Sequence, residues 1–256
     1  MRSLLFGMVA TILSTGTVGA SGEEPRWRFD AEAAYSDLTH GLEPWREGTF
    51  RAAYRVDEEV TAGAAVEAAS RFGKFDTYLE ARADFRVAGD AWLYGLFGGT
   101  PDADFRPRLA FGAGGAQRLF KDNGFVAAAV ATLDLRYADY LAGDVETVNP
   151  GVEIYLFHGH AWFTARHINI WDETGTHRTG YFVRADMQPV ESLTLFAGYA
   201  DAPDTSEGVT VDTTSWFAGA TVEVETDTIV RLSLAQELRD TGYDRTTVTL
   251  SLTLKR

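Results

Sequence analysis

The chain of 256 residues contains no cysteine. This absence excludes disulfides, thiol catalysis, zinc-thiolate sites and redox motifs together. Beyond residue 20 there is also no run of 18 apolar residues, so the sequence predicts no helix that crosses a bilayer. Positive charge is in deficit, because 23 Lys and Arg residues stand against 37 Asp and Glu residues, for a net charge of -14. We therefore expect no nucleic-acid partner.

The N-terminus has the three parts of a secretory signal peptide. Arg2 supplies the positive start, Leu4 to Leu13 a short apolar segment, and Val18-Gly19-Ala20 a cleavage site of small residues. The apolar segment is too short to span a bilayer as a helix. We expect residues 1–20 to be a signal peptide. Residues 21–256 should form one domain, since no linker or composition shift interrupts them.

Residues 47–87 alternate small or apolar side chains with polar and charged ones. Phe50, Ala52 and Tyr54 fall on one side of this pattern, and Arg51 and Arg55 fall on the other. A period of two is that of a β-strand, whose successive side chains point to opposite faces. The pattern predicts strands with one face against an apolar phase and the other against water or ion partners.

The same alternation, bounded by turn residues, predicts about fourteen strands, with twelve as the alternative count. Many of them reach the roughly 9 to 11 residues that a tilted transmembrane strand needs. The last strand is a clear case, with Val248, Leu250 and Leu252 on one face and Thr247 and Thr249 on the other. The sequence predicts an all-β protein, a single antiparallel transmembrane β-barrel in the cell outer membrane. A soluble sandwich or soluble barrel is the alternative, although its strands are commonly shorter.

The connections between these strands alternate between tight and longer ones, as in barrels with short periplasmic turns and longer external loops. Residues 100–104, 138–146 and 201–212 are expected among the longer loops, and a strand is expected over 105–119. The tight turn at Gly73-Lys74 breaks the alternation. Aromatic residues near strand ends, Trp45 among them, are expected at headgroup depth.

The first third of the expected domain carries a resemblance to a known family. The segments that carry it are Ala33-Ala34-Tyr35-Ser36-Asp37-Leu38, Gly41, Pro44-Trp45, Ala52-Ala53-Tyr54-Arg55, Ser70-Arg71-Phe72 and Phe75-Asp76. They resemble the YaiO family of outer-membrane β-barrel proteins. The resemblance implies an outer-membrane location, and it implies no role for individual residues.

The polar faces of the second, third and fourth strands are the place to look for function. The candidate lumen-lining residues are Arg51, Arg55, Glu67, Arg71, Asp76, Glu80, Arg82, Asp84 and Arg86. Their opposite charges interleave across adjacent strands, and charges that face an interior must be hydrated or paired. They form either an ion-pair network that fills the lumen or a selectivity filter or ligand groove. With further arginines on other strands, including Arg106 and Arg136, the groove would suit an anionic solute or a saccharide.

Catalytic and metal sites are not expected. A lipid hydrolase would need a serine hydroxyl in reach of an oriented histidine. The candidates are Ser36 and His40 at the end of the first strand, and His167 and His177, which flank the predicted loop between the ninth and tenth strands. His158-Gly159-His160 offers two ligands on a tight turn, which falls short of a metal site. We therefore predict no catalytic residues, no metal and no cofactor, and a protein that is not an enzyme.

The predicted barrel and its charged inner face favour a porin-like or exporter-like conduit, or a surface component associated with envelope polysaccharide. The alternatives are a lipid-modifying outer-membrane hydrolase and a plugged structural barrel without transport. The expected partners are outer-membrane lipid and lipopolysaccharide and the barrel-insertion machinery. An open lumen would indicate a conduit, and converging Ser and His side chains would indicate a hydrolase. A bore filled by charged side chains would indicate a plugged structural barrel.

Overall fold

A computed structural model of the chain describes residues 25–122 and 124–256, so the expected signal peptide lies outside the described residues. The described chain contains fourteen strands. They are β1 (Trp27–Leu38), β2 (Trp45–Arg55), β3 (Val60–Arg71), β4 (Lys74–Ala88), β5 (Ala91–Gly99), β6 (Leu109–Lys121), β7 (Val126–Asp139), β8 (Asp144–Leu156), β9 (Ala161–Trp171), β10 (His177–Val190), β11 (Leu193–Thr205), β12 (Thr210–Glu225), β13 (Thr228–Arg239) and β14 (Arg245–Lys255). Single 3₁₀ turns lie at Thr39–Gly41 and Phe157–Gly159.

Every strand pairs antiparallel with its neighbours in the chain, and β1 also pairs with β14. The sheet is therefore closed into a barrel with no free edge, and the predicted fold class and strand count are confirmed. Closure lets each backbone N–H and C=O find a partner in the next strand, which a bilayer interior demands because it holds no water. Among the described residues, no helix is long or apolar enough to span a membrane.

The alternation in the sequence determines which side chains face out. Phe50, Phe75 and Leu79 lie on the outer surface, and Phe75 is 63% exposed. Leu250 on β14 and Leu93 on β5 lie on the same surface, so the apolar face continues around the ring. A soluble protein would rarely expose so much contiguous apolar surface, whereas lipid acyl chains match it.

Large side chains on the inner face pack over glycines of the adjacent strand. A Cβ added to Gly98 would lie 2.3 Å from the Tyr78 hydroxyl, and one added to Gly219 would lie 2.4 Å from Cζ of Phe196. The missing side chains make room for these rings inside the curved wall. The glycines therefore fix where aromatic side chains can fill the lumen.

The two ends of the barrel differ in their connections. We call the end where β1 begins and β14 ends the turn rim, and the opposite end the loop rim. At the turn rim the connections have two to four residues, and the register shifts of β4–β5, β6–β7, β7–β8, β10–β11 and β12–β13 all lie near it. At the loop rim the longest connection is residues 100–108, and most others have four to six residues.

Several predicted boundaries at the loop rim are wrong. Residues 100–108 form a loop, so the strand expected over 105–119 begins only at Leu109. The loops expected over 138–146 and 201–212 shrink to residues 140–143 and 206–209, because alternating segments such as Asp201–Thr205 extend the ladder. The polar residues of these segments predict loops in the sequence, whereas on a closed barrel such residues line the interior.

The β3–β4 hairpin explains the break in the predicted alternation of loop lengths. Phe72 and Gly73 form a two-residue turn with φ values of 50° and 73°, the left-handed pair that suits a tight hairpin. The Phe72 ring packs edge-on against Trp45, with centroids 5.7 Å apart. This hairpin is a genuine short connection at the loop rim, and the strand count is unaffected.

The assignment of the outer face to lipid predicts a position-dependent cost of charge. Leu250→Arg puts a guanidinium on the outer face at the middle of β14 and should lower the free energy of unfolding by about 2–4 kcal/mol. Thr246→Arg, on the same face near the strand end, is the matched control and should cost about 0–1 kcal/mol. Denaturant titration of the barrel in phospholipid vesicles measures both, and equal losses would contradict the assignment.

Candidate functional site

Charged side chains close the lumen at the loop rim. We call this cluster the plug and define it as Trp45, Glu47, Glu67, Arg71, Arg106, Asp204, Glu237 and Arg245, with the carbonyl of Ser206. Its guanidinium groups are almost completely buried, with Arg71 1% and Arg106 3% exposed. Inside a barrel, such burial means that side chains, and not bulk water, occupy the bore at this level.

Arg71 joins opposite walls of the barrel. Its guanidinium pairs with Glu47 on the neighbouring strand β2 and donates to the carbonyl of Ser206 at 2.5 Å. Ser206 lies in the turn between β11 and β12, which is nearly opposite β3 in the ring of fourteen strands. The contact therefore spans the lumen, and the turn at residues 206–209 must fold inward to make it.

Residues 100–108 form the second inward-folded segment. The Asp76 carboxylate accepts hydrogen bonds from the backbone N–H groups of Asp104 (2.9 Å), Phe105 (2.9 Å) and Arg106 (2.7 Å). From this anchored loop, Arg106 reaches Glu67 at 2.9 Å. Asp76 of the wall thus holds the loop backbone by hydrogen bonds, and Glu67 of the wall forms an ion pair with the loop residue Arg106.

Trp45 lies between two of the plug cations. The guanidinium carbon of Arg71 is 4.0 Å from the indole centroid, and that of Arg245 is 4.7 Å away. Arg245 also pairs with Glu237 at 2.5 Å and approaches Asp204 at 4.0 Å. Burying this many charges is costly unless each is paired, so the plug is stable only while its ion pairs and cation–π contacts stay assembled.

A less crowded vestibule runs from the plug to the turn rim. Pairs of Arg and Asp two residues apart on one strand line it: Arg28–Asp30 at 2.9 Å, Arg82–Asp84 at 2.6 Å and Arg184–Asp186 at 2.5 Å. The Arg82 and Asp84 side chains remain 27% and 34% exposed. The Arg28–Asp30 and Arg82–Asp84 charges can therefore meet water or a solute, whereas Arg184 and Asp186, 14% and 1% exposed, are buried like the plug charges.

Two arginines of the interior have no carboxylate partner among the described residues. Arg231 donates to the Thr221 hydroxyl at 3.1 Å and makes no ion pair. The Nε of Arg136 is buried without a hydrogen-bond partner. The Tyr78 hydroxyl, 3% exposed, also lacks one. These groups are donors that an anion inside the barrel could use.

The nine candidate residues divide among three levels of the barrel. Glu67, Arg71 and Asp76 belong to the plug or anchor its loop, and Arg82 and Asp84 form a vestibule pair. At the turn rim, Arg55 donates to the carbonyl of Pro25 at 3.0 Å and Arg86 donates to the carbonyl of Gly89 at 3.2 Å. The two remaining candidates also face the interior in the vestibule: Arg51 is paired in register with Asp30, and Glu80 is paired with Ala65.

The vestibule ion pairs join residues of the same strand, because two side chains on one face are close enough to pair directly. In the plug, Arg71 with Glu47 and Arg245 with Glu237 are pairs between adjacent strands. One sequence expectation about this region is wrong. Trp45 is 0% exposed inside the plug and does not lie at headgroup depth. The alternation along β2 that puts Arg51 on the inner face also puts Trp45 and Glu47 there. The sequence therefore contained the information that Trp45 faces the lumen.

The Ser–His arrangements required by a hydrolase do not form in the described residues. The Ser36 hydroxyl pairs with that of Thr247 at 2.8 Å, and His40 pairs with Thr39 at 3.1 Å. His177 stacks on Trp171, with ring centroids 4.5 Å apart. Within the described ranges, no group of three or more His, Asp or Glu side chains is placed to hold a metal ion.

Asp172 holds the loop between β9 and β10. Its carboxylate accepts hydrogen bonds from the Thr174 hydroxyl at 2.6 Å and backbone N–H at 3.0 Å, the Thr176 N–H at 2.9 Å and Arg178 at 2.8 Å. Burial by itself raises the pKa of Asp172, but the hydrogen bonds from Thr174, Arg178 and Thr176 outweigh it and lower the pKa to about 2.

This lowered pKa predicts an acid limit for the loop. A carboxyl with a depressed folded-state pKa stabilises the fold above its ordinary pKa of 3.8, and that contribution is lost as the pH falls toward about 2. Carbon NMR of the Asp172 carboxyl should follow this low titration. Arg178→Gln should move the pKa of Asp172 upward, toward 3.8. A midpoint near 3.8 in the unmodified protein would contradict the hydrogen-bond network.

Comparison with known proteins bears on the fold. No protein-family model matches the chain, and a search of curated proteins finds no match. The barrel is similar to the Acinetobacter baumannii outer membrane protein Omp33, with a TM-score of 0.62 and 10% identity over 91% of this chain and 99% of that one. It is also similar to the Pseudomonas aeruginosa outer membrane protein OpdK, with a TM-score of 0.50 and 12% identity over 91% and 99%.

At these identities the likeness concerns architecture alone. It agrees with what the chain shows by itself, a closed ring of fourteen strands with an apolar outer face and a charged interior. Such a ring satisfies its backbone internally and presents hydrocarbon-compatible side chains outward, as a barrel in lipid must. The protein is an outer-membrane β-barrel.

Proposed function

We propose that the protein is a conduit for small anionic solutes, closed at its loop rim by the plug. The observation that carries the proposal is the contrast between the two levels of the lumen. The vestibule contains partly exposed arginines and carboxylates, such as Arg82 and Asp84, whereas the bore is closed by wall side chains that meet two inward-folded connections. A closure that depends on a loop and a turn can open without rebuilding the wall.

The anionic preference rests on the arginines that lack carboxylate partners. Arg136 and Arg231 face the interior on β7 and β13, and neither makes an ion pair with a described residue. A small carboxylate or phosphate could accept hydrogen bonds from such groups, whereas a cation would be repelled. An acidic saccharide offers the same chemistry.

The proposal includes a biological setting. We place the protein in the YaiO family, on the segments that resemble it, and treat residues 1–20 as an export signal. The partners are then outer-membrane lipid, lipopolysaccharide and the barrel-insertion machinery, and the protein is not an enzyme. A plugged structural barrel is the alternative, favoured by the burial of the plug charges.

Conductance measurement distinguishes these two functions. Arg71→Gln keeps a polar side chain with an N–H donor, but it shortens the side chain, removes the charge that pairs with Glu47 and weakens the bond to the Ser206 carbonyl. Since a buried hydrogen bond to a charged group contributes about 1.5–3 kcal/mol, the open fraction in planar bilayers should rise about tenfold or more. Arg46→Gln, on the outer face of β2, is the control and should match the unmodified protein. Absence of conductance in every variant would support the structural barrel.

A second experiment tests the anionic preference. In the Arg71→Gln background, Arg136→Gln and Arg231→Gln should each shift the reversal potential in a potassium chloride gradient toward cation selectivity, because each removes a positive charge from the interior. Adding Arg46→Gln to the same background should leave the potential unchanged. Identical ion selectivity in all conducting variants would contradict the anionic preference but would still support a conduit.

A further inference from the structure

The wall of the barrel is interrupted between β8 and β9. Their register is continuous from Leu156↔Ala161 to Gly151↔Arg166 and resumes at Thr147↔Ile170, but residues 148–150 and 167–169 between them do not form ladder pairs. The two flanking segments share one register, so no residue is inserted and the gap is not a β-bulge. We call this interruption the seam.

Asparagine side chains replace the missing ladder bonds at the seam. The backbone N–H of Asn169 donates to Oδ1 of Asn149 at 3.2 Å, and Nδ2 of Asn169 donates to the carbonyl of Val148 at 2.8 Å. Pro150 lies in the same segment and has no N–H to donate. A rotation of two side chains would therefore part the strands locally, whereas elsewhere the backbone ladder itself would have to break.

The lipid side of the seam is polar at a depth where apolar side chains are expected. His167 and Asn169 lie on the outer face of β9, and His167 is exposed. With about 3.3 Å per residue and a tilt of about 45°, they lie about 9 and 5 Å deeper than Trp171, whose ring is suited to the interface. Polar groups at such depth are costly in a lipid-facing wall and mark functional positions.

Unpartnered donors lie directly behind the seam. Gly151 has no side chain, and the Thr132 hydroxyl and the Arg166 side chain fill the space beside it, since a Cβ there would lie 2.7 Å from the hydroxyl and 2.8 Å from Cγ of Arg166. The Arg166 side chain is 10% exposed, and its Nε has no hydrogen-bond partner. The buried Thr132 hydroxyl has none either. The nearest carboxylate, Asp134, is 3.7 Å from Nη1 of Arg166 and already accepts the Tyr94 hydroxyl at 2.7 Å.

We propose that the seam is a lateral binding site for an anionic amphiphile, with a carboxylate head on Arg166 and Thr132 and an acyl chain that passes through the wall into the membrane. Arg166 Nε and the Thr132 hydroxyl supply two donors to one head group, and the polar wall at His167 and Asn169 lines its route. The acyl chain of the ligand then lies against the apolar outer face of the barrel. The site gives the lumen an entrance from the membrane plane, which stays available while the plug closes the loop rim.

The probe for this site is 12-doxylstearate, with its methyl ester as the uncharged counterpart. In lipid nanodiscs at alkaline pH, the full-length barrel should bind the spin-labelled acid with about tenfold higher affinity than the ester, measured as the immobilised fraction of the spin label. This difference corresponds to one hydrogen bond to a charged group. Arg166→Gln should abolish that difference. Arg118→Gln is the matched control, because Arg118 is also an inner-face arginine with one carboxylate partner, Asp90 at 2.8 Å, three strands away on β6.

A disulfide tests whether the seam is the route. The cysteine-free chain allows Val148→Cys with Asn169→Cys across the seam, and Val152→Cys with Ala165→Cys in the continuous ladder of the same strands. Oxidation should remove probe immobilisation in the first pair, and reduction should restore it. The second pair should bind equally in both states. Heat-modified mobility in gels verifies that each variant has folded.

Three results would overturn the proposal: equal immobilisation of acid and ester by the unmodified protein, equal loss in Arg118→Gln and Arg166→Gln, or binding that survives oxidation of the seam pair. The outcome is independent of the conduit. A barrel that binds the probe but conducts no ions would support the lateral site and contradict the conduit. A barrel that conducts ions but does not bind the probe would support the conduit and contradict the lateral site.

Discussion

The structure depends on one constraint, that a backbone surrounded by hydrocarbon must satisfy all its hydrogen bonds within the protein. Closing the sheet between β1 and β14 meets this constraint by strand pairing, except at the seam between β8 and β9, where asparagine side chains supply hydrogen bonds. Closure in turn fixes the alternation, because each strand then has one face toward lipid and one toward the lumen. The charged interior is a consequence, since charged side chains at membrane depth are costly on the outer face and can be hydrated or paired on the inner face.

Charges inside the barrel are handled in two different ways. Along the vestibule, an arginine pairs with an aspartate two residues away on its own strand. The Arg28–Asp30 and Arg82–Asp84 pairs remain partly hydrated, whereas the Arg184–Asp186 pair is buried. At the loop rim, groups from distant segments meet in a nearly dry cluster, where Arg71 reaches Glu47 and the Ser206 carbonyl. The first arrangement is local and leaves the bore wet. The second depends on the inward-folded connections and closes the bore.

The sequence predicts the fold well and the site only in part. The period of two is imposed by strand geometry, so the fourteen strands and the side of the wall taken by Arg51, Glu67 or Arg82 follow from the residues alone. Which charges meet does not follow, because the contacts of Arg71 join segments 135 residues apart and depend on how the 206–209 turn folds. For Trp45 the reason is different: aromatic residues near strand ends predict headgroup depth, whereas the alternation of β2 puts Trp45 on the inner face, where it is buried. Pro150 was a visible sign of the seam, but its effect on the β8–β9 ladder depends on pairing that only the structure supplies.

The central claim is that connections at the loop rim fold across the lumen and close it. The most direct measurement is the distance between spin labels at Glu207, in the inward-folded turn, and at Phe72, at the tip of the opposite β3–β4 hairpin. The account predicts one narrow population, short compared with the width of a fourteen-strand barrel, that lengthens in Arg71→Gln. A long or broad population in the unmodified protein would show that the turn does not cross the bore and would contradict the account.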